Sequence, residues 1–152
     1  MTTDTSDGTP SSELHFQRLD VYRLAVAFAV GCDAVNTDLP AGRGYIRDQL
    51  RRAALSVVNN IAEGAGEFST ADKARFYRMA LRSTTECAAT LDVIRGVDAA
   101  SSESVEALLR QARRLVAMLT RLVARMRQRG AGGNGNGARE VGTGRGTGTG
   151  RA

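Results

Sequence analysis

Apolar residues recur every three or four positions along most of the chain, the spacing that places side chains on one face of an α-helix. Four segments show this spacing, separated by short stretches rich in glycine, proline or serine. They span residues 16–36, 45–63, 69–95 and 101–129. No segment alternates steadily between apolar and polar residues, as a half-buried strand does. Because the links are short, the pattern predicts an all-α protein: an antiparallel up-down-up-down four-helix bundle.

Individual residues predict where these helices begin and end. Gly64 and Gly66 indicate the end of the second helix, since glycine readily adopts the left-handed conformation found there. Ser69, followed by Asp72 three residues later, resembles a capping box and predicts the start of the third helix. Gly130 predicts the end of the fourth.

Composition changes at both ends of the chain. Residues 1–13 and 130–152 are rich in Gly, Ser, Thr and Asn and hold few side chains to bury, so both are predicted to be disordered tails. The folded domain is therefore predicted to be residues 14–129. No uninterrupted apolar stretch approaches the ~18 residues of a membrane span. These features predict a cytoplasmic protein without membrane contact.

The fourth helix carries most of the net charge of +5. Between residues 101 and 129 there are seven arginines and two glutamates. A guanidinium offers a planar fork of donors that suits phosphate. A solvated outer face is the alternative, but acidic residues are absent from the helix after Glu106, and an Arg/Gly tail follows. The predicted nucleic-acid-binding residues are Arg110, Arg113, Arg114, Arg121, Arg125, Arg127 and Arg129.

The second helix has apolar residues on two faces, so it needs a partner beyond its own bundle. The outer set, Leu55, Val58 and Ala62, is the predicted interface of a homo-oligomer. A polar seam runs between the two faces and is expected to meet the third helix, with an arginine balancing a glutamate across it. On the second helix the seam consists of Arg52, Ser56, Asn59, Asn60 and Glu63. The residues predicted to form the structural seam across both helices are Arg52, Asn60, Glu63, Ser83 and Glu86.

The sequence offers little evidence for a catalytic site. A Glu63/Glu86 pair would be needed to divide acid and base work, and no nucleophile or phosphate loop accompanies it. Di-metal bundle sites use Glu-x-x-His pairs, whereas His15 is the only histidine. Cys32 and Cys87 lack zinc-site spacing and are read as small core residues. The sequence predicts no catalytic residues, no metal and no cofactor.

The block "QLRRAALSVVNNIAEGAGEFSTADKARFYRMALRSTTECAATLDV", residues 49–93, resembles the four-helix-bundle proteins encoded in intervening sequences of bacterial 23S ribosomal RNA genes. "LDVYRLA" at residues 19–25 also fits that family's first helix. Val58 replaces a frequent proline, which implies a straighter second helix, and Arg82 replaces a frequent glycine, which places a bulky charge where helices are expected to pack.

This resemblance implies a non-enzymatic bundle. The family is similar in architecture to the accessory variability protein of diversity-generating retroelements, a basic pentameric ring that binds nucleic acid and a reverse transcriptase. By that analogy RNA or DNA is the leading partner, with self-association into a pentamer and a reverse transcriptase as further expected partners. A protein-interaction scaffold, whose arginine face meets an acidic protein, remains the second interpretation.

Overall fold

The structure is a computed structural model in which residues 14–133 are described. A short 3-10 helix, His15–Arg18, precedes four α-helices. Their bounds are α1 Asp20–Asp38, α2 Gly44–Gly66, α3 Thr70–Gly96 and α4 Ser102–Gly133. Residues 14–133 contain no strand, and the predicted all-α fold is confirmed.

Contacts between the helices show that neighbours run in opposite directions. Asn36, near the end of α1, bonds Arg47 near the start of α2. Gly130, near the end of α4, lies against Thr70 at the start of α3. Helices α1 and α3 each pack against α2 and α4, which places the four at the corners of a square. These contacts are consistent with the predicted up-down-up-down bundle.

The core lies on the bundle axis, where each helix contributes apolar side chains such as Phe28, Leu50, Leu91 and Leu115, all fully buried. Helices α1 and α4 approach closely at Gly31, where a Cβ atom would lie 2.6 Å from Leu108 Cδ2. Dense packing of this kind fixes the rotation of α4 about its axis, and therefore which of its residues face solvent.

Of the two glycines predicted to end α2, Gly66 is the last residue of the helix and Gly64 lies within its last turn. Neither adopts the left-handed conformation predicted from the sequence. A Cβ atom at position 64 would lie 2.9 Å from Tyr77 Cε1 and 3.1 Å from Phe76 Cβ, so glycine is needed there for close approach of α3. The ammonium of Lys73 donates hydrogen bonds to the carbonyl oxygens of Ala65 (3.0 Å) and Gly64 (3.4 Å). These bonds satisfy acceptors that the end of a helix leaves free.

The predicted cap of α3 is confirmed. The backbone N–H of Asp72 donates to Ser69 Oγ at 3.0 Å, and the Ser69 hydroxyl donates to the Asp72 carboxylate at 2.6 Å. The carboxylate therefore holds the capping hydroxyl itself rather than the backbone N–H used in a capping box.

The predicted end of α4 at Gly130 is wrong, since the helix continues to Gly133. Residues 130–133, which were predicted to belong to the tail, are therefore helical, and a Cβ atom at Gly130 would lie 3.2 Å from Thr70 Oγ1 of α3. The remaining parts of the predicted tails, residues 1–13 and 134–152, lie outside the described residues.

The two departures from the family pattern are accommodated. Helix α2 is unbroken through Val58. The side chain of Arg82 is 85% exposed and contacts the Glu86 carboxylate at 3.7 Å. Its charge therefore projects into solvent and does not crowd the contact between α2 and α3.

Candidate nucleic-acid interface

Helix α4 has a buried apolar side and an exposed basic side. Leu115 and Leu119 are fully buried in the core. The burial of these residues turns the opposite side outward, as expected for an amphipathic helix. All seven arginines predicted to bind nucleic acid are exposed.

Four of these arginines form a row that faces away from the core. At about 100° per residue, Arg110, Arg114, Arg121 and Arg125 fall within an arc of about 60° and extend over about 22 Å of the helix axis. Residues 107–133 contain no acidic side chain. Within the described part of the chain, none of the four forms a hydrogen bond or an ion pair. Their guanidinium groups are therefore available to an external anion. These four residues are called the arginine row below.

Arg113 differs from the row because it is already paired. Its guanidinium donates to the Glu106 carboxylate at 2.8 Å, and Arg95 of α3 contacts the same carboxylate at 3.4 Å. Arg95 in turn contacts Asp92 at 2.6 Å. The hydrogen bond from Arg113 lowers the pKa of Glu106, with the charges of Arg113, Arg95 and Arg110 acting in the same direction. Arg113 thus belongs to a contact between α3 and α4.

The last two predicted arginines flank the row at the end of α4. Helical geometry places Arg127 toward α3 and Arg129 toward α1. Both are exposed. The structure therefore brings four of the seven predicted residues into one line and sets Arg113, Arg127 and Arg129 beside it.

The polar seam between α2 and α3 is held by hydroxyl and amide groups. Ser56 Oγ and Ser83 Oγ lie 2.9 Å apart, and the Asn60 amide donates to Ser56 Oγ at 3.0 Å and to its carbonyl at 2.8 Å. Asn60 and Ser83 are buried. Ser56, which the sequence also places in the polar seam of the second helix, is the link between them.

The charged residues predicted for the seam lie on its edges and do not meet. Arg52 donates to Gln49 at 3.0 Å, and the expected Arg52 ion pair with Glu63 or Glu86 does not form in residues 14–133. Arg52 and Glu63 are eleven residues apart on one helix, a rise of about 17 Å. Both glutamates are exposed.

The two glutamates are also too far apart to act as a pair. The Ser56–Ser83 contact places Glu86 level with Ala53, because the two helices are antiparallel. Glu63 lies ten residues further along α2, about 15 Å away along the axis. The Ser56–Ser83 contact therefore joins the two helices, and neither glutamate takes part in it.

The predicted oligomer interface is only partly exposed. Leu55 is 54% exposed, whereas Val58 and Ala62 are half-buried. Leu55 adjoins Val30 of α1, which is 66% exposed, across a groove of about 310 Å³. The exposed apolar surface therefore spans α1 and α2. The packing of α1 on α2 is what brings Val30 beside Leu55.

Neither cysteine takes part in a surface site. Cys32 and Cys87 are free thiols that are fully buried in the core. Burial raises the pKa of both, that of Cys87 to about 12. In residues 14–133 no three His, Cys, Asp or Glu side chains are grouped so that they could hold a metal ion. Across the same range, no helix has the length and apolar character to cross a membrane.

The fold and its surface define a four-helix bundle with an arginine-bearing outer face. Residues 17–121 match the family described as 23S rRNA-intervening sequence protein, and the chain belongs to that family. The fold is similar to the 1.70 Å crystal structure of a protein of unknown function from the S23 ribosomal protein family of Bacteroides thetaiotaomicron. The TM-score is 0.63 at 20% identity, over 68% of this chain and 97% of that one. That identity supports the shared fold alone. No curated protein matches the chain.

Proposed function

We propose that this chain is a non-enzymatic, homo-oligomeric bundle that binds RNA or DNA through the arginine row of α4. The observation that carries the proposal is a line of four exposed guanidinium groups on a helix without an acidic residue between positions 107 and 133. A solvated bundle face ordinarily mixes both signs of charge. A face of one sign attracts a polyanion and releases its counterions on binding.

Salt dependence tests this proposal directly. If the four row arginines each neutralise one phosphate, the slope of log affinity against log salt is about −3.6 for duplex DNA, so raising salt from about 50 to 200 mM weakens binding about 150-fold. A labelled structured RNA and a labelled duplex DNA are titrated with the protein and followed by fluorescence anisotropy. Absence of binding at low salt, or affinity that does not change with salt, rejects the proposal.

A matched pair of double variants distinguishes binding through the arginine row from attraction by positive charge anywhere on the surface. Arg114→Gln with Arg121→Gln removes two row charges, whereas Arg78→Gln with Arg82→Gln removes two exposed charges from α3. The first is expected to reduce the duplex salt slope by about 1.8, at about 0.9 per contact, and the second to leave it unchanged. Equal effects of both variants would contradict a site on α4.

Self-association is proposed through the apolar surface around Leu55. By analogy with the ring-forming relatives, a pentamer of 16.1 kDa chains, about 80 kDa, is the expected assembly. Light scattering of the unsubstituted protein and of Leu55→Asp tests it. A smaller mass for the variant supports the interface, and a monomeric parent protein at micromolar concentration rejects self-association.

A protein scaffold is the second candidate, because the same guanidinium groups also suit acidic side chains. A protein partner, such as a reverse transcriptase, would co-purify after nuclease treatment. Loss of the partner with nuclease would instead favour nucleic acid as the bridge.

A further inference from the structure

A groove beside the arginine row has no role in the contacts described so far. It lies between the start of α1 and the second half of α4 and has a volume of about 410 Å³. Leu19, Met118 and Leu122 line it, and each is half-buried against the core. Its floor is therefore apolar while its mouth is open to solvent.

Two members of the arginine row, Arg121 and Arg125, also line this groove. They are one helical turn apart, so their side chains leave the same edge of α4 about 5–6 Å from each other. The site thus combines two unpaired cations at its edge with an apolar surface beneath them.

We propose that this groove receives an unpaired nucleotide of an RNA or DNA strand, with its base against Met118 and Leu122 and its phosphates on Arg121 and Arg125. The inference rests on the proposed binding of nucleic acid and adds which part of the strand is recognised. A paired base is stacked inside its duplex and cannot reach a recessed floor, whereas an unpaired base can turn out of the strand. The methionine thioether makes favourable contacts with aromatic rings, as a nucleobase requires.

Asp20 sets the orientation of the nucleotide. It lines the groove from the first turn of α1, and its exposed carboxylate repels a phosphate placed on that side. The phosphates therefore lie on the α4 side, where the two guanidinium groups are. Asp20 forms no ion pair with Arg121 or Arg125 among the contacts of residues 14–133, so both cations remain free for the strand.

The test compares single-stranded and duplex ligands on matched methionine variants. Met118→Gln places an amide on the groove floor, and Met79→Gln makes the same change at an exposed methionine of α3. Anisotropy titrations use a 12-nucleotide labelled RNA, its DNA counterpart and the corresponding duplexes. Met118→Gln is expected to weaken single-strand binding about three- to tenfold and to leave duplex binding unchanged. Met79→Gln is expected to change neither, and the RNA and DNA arms show which strand the groove prefers.

A conservative variant distinguishes a change in the groove from unfolding of the protein. Met118→Leu keeps the floor apolar and is expected to retain single-strand binding, and thermal melting of every variant is recorded. Equal losses of affinity for single strands and duplexes, or unchanged single-strand binding by Met118→Gln, would rule out the groove as the site of an unpaired nucleotide. Neither result would contradict binding through the arginine row. Failure of the unsubstituted protein to bind any of the ligands would instead overturn the proposed function itself.

Discussion

Gly64→Ala tests whether the contact between α2 and α3 requires the absence of a side chain. The new methyl group would meet Tyr77 Cε1 at 2.9 Å and Phe76 Cβ at 3.1 Å, both closer than an ordinary van der Waals contact. Phe76 Cβ is attached directly to the backbone and cannot turn away. The ring of Tyr77 is buried, so it has little room to move. We expect the two helices to separate slightly and lose packing.

The magnitude follows from two opposing contributions. Overpacking of a well-packed contact costs about 1–3 kcal/mol. Alanine is favoured over glycine inside a helix by about 1 kcal/mol, which offsets part of that cost. The expected net loss in the free energy of unfolding is therefore as much as about 2 kcal/mol.

Gly66→Ala provides the matched control, because nothing lies within 4 Å of a Cβ atom at that position. It lies on the same helix, two residues away, and is expected to be neutral or slightly stabilising. Urea unfolding followed by circular dichroism at one protein concentration gives both values. If Gly64→Ala were as stable as Gly66→Ala, the close approach of Tyr77 and Phe76 would not explain the glycine.

Three further outcomes follow from the described residues. Ser69→Ala should lower the free energy of unfolding by about 1 kcal/mol, since the Asp72 N–H loses its acceptor, and an unchanged urea midpoint would contradict that role. Cys32 and Cys87 should react with a thiol reagent only after unfolding, and rapid reaction of the folded protein would show that the core opens. The folded pKa of Cys87 is raised from 9.0 to about 12, so the contribution of this thiol to the free energy of unfolding should be fully present below about pH 9 and be lost as pH rises above it, as urea unfolding at a series of pH values would show.

Structural features that depend on residues close together in the chain could be predicted from the sequence. Contacts between helices could not. The cap at Ser69 involves a residue only three positions away, so its pattern is visible in the chain itself. Gly64 and Gly66 are the same residue type in the same helix, yet one accommodates a neighbouring helix and the other ends its own. The positions of Tyr77 and Phe76 on α3 distinguish them.

The arginines of α4 show the same limit of prediction from sequence. Periodicity predicted that they face outward, which the burial of Leu115 confirms. Arg113 and Arg114 are adjacent, but a rotation of about 100° brings the first to Glu106 and leaves the second in the row. In the seam, periodicity placed Ser56, Asn60 and Ser83, whereas the contact between the Ser56 and Ser83 hydroxyls required the register of α2 against α3.

The ammonium that caps the end of α2 also makes the chain open to a simple proteolytic measurement. Lys73 is the only lysine in the sequence, so a lysine-specific endoprotease has a single cleavage site, between residues 73 and 74. That bond lies in the first turns of α3, and Lys73 is half-buried with its ammonium bonded to carbonyl oxygens of α2. A protease needs an extended backbone in its cleft, so cutting must wait for these turns to open. The rate at which two fragments accumulate would then report how often the start of α3 separates from α2.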